Sequence, residues 1–68
     1  MIIRLGFRSA ITGKEYAYRK ESNDEKALKE SCMRLIEITM MLHMIPVYVQ
    51  VDGIERMTKL GDSYSIEL

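Results

Sequence analysis

One cysteine and one histidine stand among 68 residues, and each scarcity removes a class of answer. A lone Cys32 forms no intrachain disulfide, and Cys32 with His43 falls short of the ligand set of a structural zinc site. Glycines occur singly at positions 6, 13, 53 and 61, so no glycine-rich loop is built to cradle a phosphate. An excess of one charge is missing too: ten Lys and Arg balance ten Asp and Glu, which gives the chain as a whole no electrostatic argument for nucleic acid or an acidic membrane. No apolar run approaches the roughly 20 residues that span a bilayer, and Met-Ile-Ile-Arg does not open a signal peptide. A cytoplasmic protein that does not enter the membrane is expected, and a lone thiol fits that reducing compartment.

An apolar fraction of 47% with 29% charged residues is that of an ordinary folded domain. One domain spanning residues 1–68 is expected, near the lower size at which a hydrophobic core alone is sufficient. Small scaffolds of this kind usually need a disulfide, a metal or oligomerisation. With the first two excluded, oligomerisation remains.

Strand periodicity appears first. Ile3, Leu5 and Phe7 alternate with Arg4, Gly6 and Arg8, and Glu15 to Lys20 alternate again across a Thr12-Gly13 turn, which reads as a hairpin. With Thr12 and Gly13 central, Phe7 lies opposite Tyr18 and Ser9 opposite Tyr16. That pairing puts Ile3, Leu5, Phe7, Tyr16 and Tyr18 on the core side and Arg4, Arg8, Ala17 and Arg19 on the other. Ser22-Asn23-Asp24-Glu25 is a helix start, read as a capping box between Ser22 and Glu25. The helix should run from about Asn23 to about His43, stopped by Ile45-Pro46. Leu28, Cys32, Leu35, Thr39 and Leu42 form its expected inward stripe.

Val47 to Val51 is the clearest strand, and Asp52-Gly53 a strong hairpin turn. Ile54 to Leu60 is a returning strand or, over Glu55 to Lys59, a helical turn. Ser63 to Leu68 is a last strand after Gly61-Asp62. The order is ββαβββ: an α+β fold with one helix packed across a small, mostly antiparallel sheet. In length and element order, with its Thr-Gly-Lys hairpin turn and the Ile-Pro pair after the helix, the chain resembles the ubiquitin-type grasp fold. Its last residues, Ser65-Ile66-Glu67-Leu68, are not a Gly-Gly pair, so the resemblance implies no conjugation chemistry.

Catalysis finds no support. Cys32 and His43 are eleven residues apart, about 16 Å along a helix, whereas a nucleophile and its base need hydrogen-bond reach. Glu21, Asp24 and Glu25 suit the positive end of the helix dipole. No enzyme, cofactor or metal is expected.

Two surfaces remain. The helix is apolar nearly all round from Leu35 to Ile45, more than one sheet face covers, and Met33, Ile36, Met40, Met41 and Met44 are the expected partner interface, facing a second copy or a target. Methionine suits such surfaces because its unbranched chain repacks easily. The first 20 residues carry five basic groups against Glu15, a net +4, and Arg4, Arg8, Lys14 and Arg19 could follow a phosphate backbone. The primary expectation is a homodimeric, non-enzymatic module that binds a protein target as an adaptor or inhibitor, a kind of chain often encoded by phages and mobile elements. A nucleic-acid-binding hairpin is the alternative.

Overall fold

A computed structural model describes residues 1–68. It is α+β, with strands β1 (Ile2–Ser9) and β2 (Glu15–Glu21), helix α1 (Glu25–Met41), and strands β3 (Met44–Val51), β4 (Ile54–Glu55), β5 (Met57–Leu60) and β6 (Ser63–Ile66). The first four strands form one antiparallel sheet in the order β2-β1-β3-β4, and β5 and β6 stand apart as a hairpin. The likeness to the grasp layout therefore stops at element order.

The β1–β2 hairpin keeps its expected faces but not its register. Phe7 pairs with Tyr16 and Leu5 with Tyr18, a slip of two residues, which preserves sidedness because the side-chain period is two. The turn is longer than Thr12-Gly13 alone. The amides of Ile11 and Thr12 both donate to Ser9 Oγ, at 3.2 and 3.1 Å, and Gly13 closes the loop at φ 75°, where a side chain would be strained.

The helix starts and ends inside its expected bounds. Asp24, not Ser22, is the N-cap: its carboxylate accepts from the Ala27 amide at 3.1 Å, while Ser22 Oγ accepts from the Asp24 amide one step earlier. At the other end His43 takes φ 59°, the left-handed conformation that reverses a chain after a helix, so β3 begins before Pro46 is reached. Pro46 is instead buried in β3 opposite Phe7, beside a bulge that leaves Val47 without a β1 partner. Proline in a strand is tolerated at such a bulge.

The helix packs on β1 and β3. The core comprises Ile3, Leu5 and Phe7 from β1, Val49 and Val51 from β3, and Leu28, Cys32 and Ile36 from the helix. At 3.6 residues per turn the inward line passes from Cys32 to Ile36 and Thr39, so Ile36 replaces Leu35 at its centre and Leu42 turns out to solvent, 65% exposed. Tyr16 and Tyr18 are also exposed, because the helix lies over β1 and β3 and leaves β2 at the margin.

The separation of β5 from the sheet has a local cause. The Arg56 amide donates to the Val49 carbonyl, but the Val49 amide donates to the Glu55 carboxylate at 3.0 Å, as does the Met57 amide. A side-chain carboxylate thus stands where the next backbone carbonyl of the ladder would be. The chain leaves the sheet there, and β5–β6 folds back along the helix.

Candidate interaction surface

The second hairpin reaches only part of the surface that the sequence assigns to a partner, at Met40 and Met33. Tyr64 Oη donates to Met40 Sδ at 3.3 Å, and Met33 borders an open groove with Ile66 and Leu68. Ile36 is 2% exposed and belongs to the core, and Met44 is half-buried against it. Among the five expected interface residues only Met41, 80% exposed, stands fully open, with Met40 partly so.

The uncovered apolar surface lies instead around the end of the helix. Ile38, Met41 and Leu42, at i, i+3 and i+4, share a helix face, and exposed Ile45 follows at the start of β3. Beside them a groove of about 380 Å³ runs between the helix and β2. Phe7, Tyr16 and Tyr18 form its floor, and Leu35, Leu42 and Met44 its wall. Alternation puts both tyrosines on the core side of their strand. Alternation tells which side of a strand a residue faces, not whether anything lies above it, so the groove had no sequence signal.

The basic residues divide between the two sides of the sheet. Arg4, Arg8 and Arg19 lie on the face away from the helix, with Arg4 directly opposite Arg19 and Arg8 opposite Glu15. Arg19 also pairs with Glu21 at 3.2 Å. Lys14 is elsewhere, its ammonium 5.6 Å from the centre of the Tyr16 ring. Between the arginines the ring of Tyr48 lies on Gly6, so close that a Cβ on Gly6 would sit 2.2 Å from it.

Cys32 is sealed in the core, 1% exposed. Burial pushes its thiol above the ordinary range, against a smaller opposing pull from Lys20, so it is a neutral thiol at pH 7 and a poor nucleophile. Exposed His43 is placed by the backbone turn that it makes. No group of three or more His, Cys, Asp or Glu is arranged to hold a metal ion, and no helix is long and apolar enough to cross a membrane. Comparison with known families, curated proteins and solved structures finds no match.

Proposed function

We propose that this chain is a non-enzymatic interaction module that works as a homodimer and binds a protein target as an adaptor or inhibitor. The observation that carries the reading is the apolar surface of Ile38, Met41, Leu42 and Ile45, left open beside the tyrosine-floored groove. Contiguous apolar patches are uncommon on monomers because each square ångström removed from water is favourable by about 25 cal/mol. A polar helix end would hold the same fold. Sedimentation of the purified chain at micromolar concentration is expected to give twice the 7.9 kDa chain mass; a monomer overturns the homodimer. Met41→Glu with Leu42→Glu should abolish target capture while helix content stays unchanged, and capture unaffected by the pair would remove this surface from the reading.

One observation favours a second reading, nucleic-acid binding. Arg4, Arg8 and Arg19 surround the Tyr48 ring on the helix-free face, which offers cations for phosphates and an aromatic plane for a base. Binding to mixed single-stranded DNA and RNA should then weaken steeply as salt rises, with a shallower slope for Arg4→Ala. Absence of binding at low salt excludes it.

A further inference from the structure

The sheet has two outer edges, and only one is closed by pairing, a side-chain carboxylate and a proline; the other carries charges alone. On the β3 side, β4 pairs with Gln50 and Val51, and the Glu55 carboxylate takes the Val49 amide. Below them stands Pro46. The bonds from the Asp52 amide to the Ile2 carbonyl and from the Ala10 amide to the His43 carbonyl fix which groups of β3 point to β1, and by alternation the ring nitrogen of Pro46 faces outward, where it has no proton to offer. The β2 edge has no such device. Its seven residues are all exposed, without proline, glycine or bulge.

The outward groups of β2 can be assigned in the same way. Met1 and Ser22 exchange both backbone bonds, and the Ser9 amide donates to Lys14. Even-numbered residues of β2 therefore bond to β1, and the N–H and C=O groups of Glu15, Ala17, Arg19 and Glu21 point away from the sheet.

We propose that β2 pairs antiparallel with β2 of a second copy, about a two-fold axis between the two Ala17 residues. This proposal rests on the reading of the chain as a self-associating module and names the surface through which it associates. In this register Ala17 meets Ala17, and each Glu15 meets Arg19 of the other copy, all through backbone groups that point outward. The side chains agree. On the helix-free face Glu15 and Arg19 are opposite charges in opposite positions, and the arriving Glu15 also relieves the like-charged Arg4–Arg19 pair within each chain. On the helix side Tyr16 meets Tyr18, which extends a row of Leu5, Tyr18, Tyr16 and Phe7 across the junction. Lys14 and Lys20 fall opposite each other at its ends, but Lys14 is held over Tyr16 and Lys20 Nζ donates to Ser31 Oγ at 3.1 Å.

Charge selects this register over its neighbours. A shift of two residues one way sets Glu15 against Glu21, and the other way sets Arg19 against the Gly13 turn; shifts of one residue oppose outward groups to inward ones. Because the axis is perpendicular to the sheet, both helices lie on the same face. Four tyrosines then floor a trough between them, walled by Leu35 and Leu42 of each copy.

Charge reversal tests the pairing, with sedimentation at micromolar concentration as readout. Glu15→Arg and Arg19→Glu each place like charges opposite each other twice per dimer and should raise the dimer dissociation constant about tenfold or more. Mixed in equal amounts, the two variants meet with opposite charges at both positions, so a heterodimer should form where neither variant dimerises alone. A folding defect cannot produce that pattern. A wild-type dimer indifferent to both reversals, or a mixture that stays monomeric, overturns this interface and leaves self-association standing. A monomeric wild type overturns both.

Discussion

Leu5→Ala lowers the unfolding free energy by about 3 kcal/mol, within the range for truncating a fully buried leucine. Leu5 has no exposed surface, lies between Tyr18 and Val49 on the neighbouring strands, and belongs to the same cluster as Leu28 and Cys32. The size of the chain magnifies the loss. A domain of this length has roughly 3–10 kcal/mol in total, so one truncation removes a third or more and brings the folded state close to balance with the unfolded one. Urea unfolding at a fixed protein concentration measures the change, because association with a second copy adds stability by mass action. A loss below about 1 kcal/mol contradicts a tightly packed site at Leu5. Leu42→Ala, on the exposed helix end, should change the monomer's stability by less than about 0.5 kcal/mol.

Gly6→Ala destabilises by about 1–3 kcal/mol for the opposite reason, overfilling. The added methyl would stand 2.2 Å from the Tyr48 ring, so the ring must leave the strand it covers. In a Tyr48→Ala background the obstacle is gone. There Gly6→Ala should become stabilising by about 0.5–1 kcal/mol, since alanine loses less backbone entropy than glycine on folding. The change of sign is the test, read as a double-mutant cycle in the same urea experiment. An equal cost in both backgrounds would show that the backbone, not the ring, demands glycine.

What the chain discloses before folding is mostly local. Alternation in β1, the paired signals of Asp52-Gly53 and the acidic helix start depend on neighbours within a few residues, and each forms where expected, the last with its cap moved to Asp24. Features that depend on a count over distance are less legible. The hairpin register differs by two because the Ser9 hydroxyl organises a longer loop, and the helix stripe passes through Ile36 rather than Leu35 because two four-residue steps precede the three-residue one. The departures that matter for the surface depend on contacts remote in sequence. Glu55 diverts β5 out of the sheet through Val49, the diverted hairpin touches Met40 through Tyr64, and Tyr16 and Tyr18 are left open because the helix lies over β1 and β3. No periodicity within one segment encodes which neighbour will lie above it.

The buried thiol gives the molecule a clock. Cys32 is neutral and closed off between helix and sheet, and a thiol reagent attacks the ionised form only when it can reach it. Modification at Cys32 therefore counts openings of the core, and its rate reports the open population when closing outpaces the reagent. Whatever binds the closed form slows the count in proportion to its occupancy, so a single native sulfur registers the arrival of a partner anywhere on the surface, without a label placed at the interface.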